Sequence, residues 1–149
     1  MKLYRLGNCM FSGNLSGEGA RIYGGRWNSI GVPAVYFANS RALAVLEVLV
    51  HLSPVFLPDN FCMVEFEVDG NYFEIQEENL PKDWNVFPFL KNVQKIGDQF
   101  LKDNGSPLIK VPSAIVKGEY NFVLNPLHHE SGNIKLMDSR PFSFDERLF

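Results

Sequence analysis

The chain has 149 residues, 46% hydrophobic and 21% charged, with a formal net charge of −3; that suits one domain, 1–149, around one core and gives no basic footprint for nucleic acid. Its longest apolar stretch, residues 42–52, is broken by Glu47 and His51, so no membrane span is expected. The N-terminal MKLYRLGNCM has no signal core, and Cys9 and Cys62 lack metal-type spacing, so a reducing cytoplasm is the expected compartment.

Residues 2–6 alternate as a strand would. Residues 8–25 are dense in glycine and read as a long loop. VPAVYFA, 32–38, is β-branched and aromatic enough for a buried strand. Asn39–Ser40 then supplies a helix N-cap ahead of RALAVLEVLVHL. FCMVEFEV, 61–68, puts Cys62, Val64, Phe66 and Val68 on one face and Glu65 and Glu67 on the other. Residues 71–75 are expected as its hairpin partner across Asp69–Gly70. A second main helix is expected over 91–101, followed by strands at 108–111, 120–124 and 134–137, with the tail PFSFDERLF able to add one more. Many strands and two main helices without βαβ alternation predict an α+β fold, and thirteen phenylalanines predict a partly aromatic core.

Few residues stand out chemically. The 42–52 helix is apolar nearly all round except for Glu47 and His51, four apart on one stripe. That stripe is either a solvent edge or the wall of a cleft in which neighbours tune a carboxylate. No third ligand completes a metal set with this pair, and no metal is expected. Arg26 follows Gly24–Gly25 in ARIYGGRWNS. Glycines there permit close approach to a ligand, and a guanidinium grips phosphate in a bidentate fork; a surface arginine paired with an acid is the alternative. Neither a P-loop nor a Gly-x-Gly-x-x-Gly spacing is present. Ser113 in VPSAIV lacks a nucleophile elbow, and Tyr36, inside a strand, is by default core.

The run GARIYGGRWNSIGVPAVYFANSRALAVLEVLVHL, followed by IGDQFL, IKVPSAIVKGEYNFVLNP and PFSFDERL, resembles the RES-domain toxins along almost the whole chain. The resemblance carries the family arginine onto Arg26, its tyrosine onto Tyr36, its glutamate onto Glu47 and its serine onto Ser113, with Asn125 in LNP as a further polar position. It implies a mixed α/β fold similar to ADP-ribosyltransferase toxins, with a central NAD cleft between β-sheets flanked by a few helices. It implies consumption of NAD by phosphorolysis or hydrolysis, or transfer of ADP-ribose to a protein. It also implies a helix-turn-helix, Xre-type antitoxin partner that covers the cleft.

On that reading Glu47 stabilises an oxocarbenium-like ribosyl centre, and Arg26 holds the pyrophosphate, with Arg21 as a second phosphate contact. Tyr36 stacks on nicotinamide or ribose, and Ser113 orients a ribose or phosphate oxygen. Nicotinamide leaves NAD as a neutral group, so one carboxylate suffices where a glycosidase needs two. One rival class is an RNA-cleaving toxin built on His128, Glu47 and Arg26; another is a non-catalytic binding module.

Overall fold

A computed structural model describes residues 1–53 and 55–149. Seven strands form one sheet: β1 (Lys2–Asn8), β2 (Val35–Ala38), β3 (Phe61–Glu67), β4 (Tyr72–Glu74), β5 (Leu108–Pro112), β6 (Tyr120–Leu124) and β7 (Lys135–Phe142). The spatial order is β4-β5-β6-β2-β1-β3-β7. Three α-helices accompany it: α1 (Glu18–Tyr23), α2 (Arg41–Leu49) and α3 (Lys91–Asp103). The mixed α/β expectation is met.

Alternation along the strands sorts the core onto two faces. One face gathers Leu3, Val35, Phe37, Val64, Phe66, Leu108, Phe122 and Leu124 in a single cluster. The other face carries two clusters. Val93 and Leu101 of α3 pack with Ile109, Val111, Val123, Trp27 and Trp84 on one half of the sheet. Leu43 and Ala44 of α2 pack with Leu6, Ala38, Met63 and Phe144 on the other half.

Between those halves the sheet has a narrow waist. β1 follows β3 through seven consecutive residue pairs, and β2 follows β6 through four, yet β1 and β2 meet only at Tyr4 and Ala38. The expected pair of sheets is therefore one continuous sheet that is barely joined in the middle. A cleft opens at this waist, between the halves that carry α2 and α3.

Several local expectations change. Residues 71–75 do not form a hairpin with β3, because both edges of β3 are occupied by β1 and β7. β4 instead runs parallel to β5, pairing Tyr72 with Leu108, and this delivers Ile75 to the core beneath α3. The glycine-rich 8–25 segment contains one short helix, α1, which ends where Gly24 turns left-handed at φ 73°. Pro141 and Phe142 of the tail extend β7 rather than making a strand of their own. The helix predicted at 41–52 starts as read, with Ser40 Oγ accepting the Leu43 N–H at 3.1 Å, but it ends at Leu49 and leaves His51 in the turn beyond it. Cys9 and Cys62, assigned to a reducing compartment, are joined by a disulfide that ties the turn after β1 to β3.

Candidate active site

The cleft encloses a cavity of about 660 Å³, within the range of small-molecule sites. Its wall includes Tyr4 of β1, Tyr36 of β2, Asn121 of β6, Glu47 and His51 from α2 and the turn beyond it, and Arg26 with Phe87 and Phe89 from loops.

Arg26 sits at the tip of a tight turn closed by the Gly25 N–H donating to the Asn28 carbonyl at 3.0 Å. The glycine before it has a specific steric reason. A Cβ on Gly25 would lie 2.7 Å from the Tyr36 hydroxyl, so the close approach there is made by the protein's own phenol. That hydroxyl donates to Asn28 Oδ1 at 2.6 Å and accepts the Trp27 N–H at 3.0 Å. Asn28 is fully buried and donates to the carbonyls of Ala20 and Val32 at 2.8 and 2.9 Å. Burial first of all drives the Tyr36 phenol well above its ordinary value, so it acts as a neutral donor at physiological pH. Trp27 is core, tilted against Trp84 at 6.0 Å between ring centroids.

α3 grips the same turn from the other side. Gln94 Nε2 donates to the Gly25 carbonyl at 2.9 Å. Asp98 accepts from the Ser29 N–H at 2.8 Å and from Ser29 Oγ at 2.6 Å. Gly97 lies so close to Trp27 that an added Cβ would stand 1.9 Å from the Trp27 carbonyl oxygen.

The Arg26 guanidinium donates through Nη1 to the carbonyls of Trp84 and Val86 at 3.0 and 2.8 Å, and lies 5.1 Å from the Phe89 ring centroid. It makes no ion pair among the described residues. Burial lowers its pKa; the nearby Glu47 charge, and then Tyr36, oppose that shift. An arginine nevertheless stays charged at any physiological pH. The cleft therefore holds a cation whose charge no carboxylate neutralises directly.

Glu47 faces it from α2. Its Oε1 accepts two bonds, from Ser113 Oγ at 2.9 Å and Asn121 Nδ2 at 2.5 Å; Oε2 accepts none among the described residues. Ser113 is 4% exposed, and its Oγ also accepts the N–H groups of Ile115 and Val116, both at 3.1 Å. Its hydroxyl is thus saturated behind Glu47 and does not reach out as a direct ligand for ribose or phosphate.

The structure brings Arg26, Tyr36, Glu47 and Ser113 to one place. Arg21 and Asn125 lie elsewhere. Arg21 forms an exposed pair with Glu18 on α1 at 2.8 Å. Asn125 donates to the Leu101 carbonyl and Asn104 Oδ1, and accepts the Leu127 N–H, so its amide is consumed in joining β6 to the end of α3. His128 also stands away from the cleft lining, with Nδ1 accepting the Glu130 N–H at 3.1 Å, and cannot serve an RNA-cleaving centre with Glu47. It is one of three possible metal ligands, with His129 and Glu130, whose ligating atoms lie within 4.8 Å of one another.

Sequence reasoning missed Asn121, Asn28, Gln94 and Asp98. The available signal was a polar residue in an otherwise apolar strand, YNFVL, where Asn121 shares the cleft-side parity of Val123.

These features define a mixed α/β chain with a ligand-sized cleft, across which a guanidinium faces a hydrogen-bonded carboxylate. The model of the RES domain matches residues 2–145, and the chain belongs to that family. It is 41% identical over 139 residues to the Prs ADP-ribosylating toxin of Sphingobium sp. (strain YBL2), covering 91% of this chain and 86% of that one. It is 40% identical over 154 residues to Toxin Res of Photorhabdus laumondii, covering 99% and 97%. Among solved structures, it shares the fold of a chain in the M. tuberculosis MbcT–MbcA toxin–antitoxin complex, with a TM-score of 0.77, 22% identity and coverage of 95% and 84%.

Proposed function

We propose that this chain is the toxin of a toxin–antitoxin pair and that it consumes NAD by cleaving the nicotinamide–ribose bond. The observation that carries the reading is the placement of Glu47 and Arg26 across one cleft without a direct ion pair. A dinucleotide presents matching features. Its pyrophosphate suits the guanidinium, and its reacting ribosyl carbon becomes cationic as nicotinamide departs as a neutral leaving group. Glu47 Oε2 is the free oxygen to face that developing charge, and a fixed carboxylate needs no reorganisation as the charge appears. Phe87 and Phe89 give the cleft aromatic walls that suit flat heterocycles.

The acceptor is phosphate or water on this reading. Transfer of ADP-ribose to a protein is the second reading, favoured by the name of the Sphingobium relative. The cleft lining includes exposed apolar side chains, Val50, Phe87 and Ile115. Such a lining suits a protein that covers the opening, and a helix-turn-helix antitoxin of the Xre type is the proposed partner. The proposed compartment is the cytoplasm, and no helix among the described residues is long and apolar enough to cross a membrane. A cytosolic thiol pool would hold Cys9 and Cys62 reduced, so assays belong in buffers with and without reductant.

The test is purified protein incubated with NAD, with and without phosphate, and the products resolved by mass spectrometry. ADP-ribose-1''-phosphate marks phosphorolysis, free ADP-ribose marks hydrolysis, and a mass gain on a protein marks transfer. Glu47→Ala should leave the fold intact and lower NAD consumption by about 10²–10³-fold. A folded Glu47→Ala protein that turns over NAD like the parent would remove Glu47 from the chemistry.

A further inference from the structure

We propose that Asn121 is a positioning residue that holds the plane of the Glu47 carboxylate and decides which oxygen meets the substrate. Asn121 lies in β6 between its two neighbouring strands, paired with Ala38 on one side and Val111 on the other. Its Nδ2 donates to the same Glu47 oxygen that accepts from Ser113. Ser113 supplies one donor of fixed direction, because the N–H groups of Ile115 and Val116 occupy its lone pairs. A carboxylate held by one bond can still pivot about it. A second donor, arriving from β6, fixes the plane and leaves Oε2 facing the cleft.

The other end of the amide supports the assignment. Asn121 Oδ1 is buried and has no partner among the described residues. A buried acceptor without a bond is costly. Turning the amide over would set Oδ1 against Oε1, acceptor against acceptor. The amide is kept in its costly orientation by what Nδ2 does for Glu47.

A second carboxylate at this position tests the idea. Glu47 is the only carboxylate in the cleft lining among the described residues. The other charged or titratable groups bordering the cavity are Arg26 from its turn, Tyr4 and Arg5 from β1, Tyr36 from β2 and His51 after α2. Asn121→Asp keeps the shape but replaces a donor with a like-charged group, which repels the Glu47 carboxylate instead of holding it.

The first readout is the crystal structure of each folded variant, read for the position of the Glu47 carboxylate. In Asn121→Ala the carboxylate should pivot about its remaining bond to Ser113, and in Asn121→Asp the like charge should turn it further from β6. The second readout rests on the NAD reading of the cleft. Asn121→Ala should lower kcat about tenfold with the KM for NAD unchanged, and Asn121→Asp should lower it at least as far. A Glu47 carboxylate that keeps its position in both folded variants overturns the proposal. So does a variant that raises KM while keeping kcat, which would make Asn121 a substrate-binding group. If the parent chain consumes no NAD, the functional reading fails by itself, and the variant structures still decide the role of Asn121.

Discussion

Arg26 reaches the cleft because its neighbours leave its backbone no freedom. Tyr36, Asn28 and Gln94 hold the turn on which it stands, and the Trp84 and Val86 carbonyls aim its guanidinium. Carbonyls orient a cation without cancelling its charge, so Arg26 keeps its attraction for a phosphate. Arg26→Ala should therefore weaken NAD binding as well as slow turnover, with an affinity loss of about tenfold or more, as for a charge-assisted bond. Isothermal calorimetry checks this, and unchanged affinity would sink the pyrophosphate role. In the sequence Glu47 and Arg26 stood out as a carboxylate within an apolar helix and an arginine after two glycines, but it was the resemblance to the RES-domain toxins that joined them in one cleft. The same resemblance named Ser113, but its bond to Glu47 and the part of Asn121 were not readable, since they stand 66 and 74 residues away and reach it only when β5 and β6 are laid beside β2.

Among the elements, α3 bears on the site without lining it. It carries Gln94, Gly97 and Asp98 on the face that meets the Arg26 turn. Gly97→Ala would drive a methyl group into backbone, which no rotamer change can relieve. The expected loss of stability is about 3 kcal/mol or more, read as a lower denaturation midpoint. NAD turnover should fall in the remaining folded protein, because the turn must shift. Gly105→Ala is the control, since a Cβ there meets nothing within 4 Å. α2 could be read from Ser40 and its apolar run because capping and periodicity are local signals. β4 could not, because its strand-like residues name no partner. Its parallel pairing with β5 is decided by the burial of Ile75 and by the occupied edges of β3.

At the scale of the whole molecule, a seven-stranded sheet pinched at one residue pair carries its two helical covers on one face, with the reactive groups in the gap between them. The mixed α/β class was legible from the count of strands and helices; the waist was not, because it follows from how far β1 and β2 stay in register. The disulfide spans this arrangement in a way that bears on fragmentation. A 53-residue separation lies between Cys9 and Cys62, and the closed ring contains Arg26, Tyr36 and Glu47. Closing a loop of that length contributes about 4 kcal/mol in the chain-entropy view. Exposed Tyr23 and Phe56 offer protease sites within the ring. Chymotrypsin nicking at either should give two pieces that migrate together on a non-reducing gel and separate once a thiol is added. Separation without thiol would show the ring to be open. While the ring is closed, a protease can cut this stretch of chain once without releasing either piece.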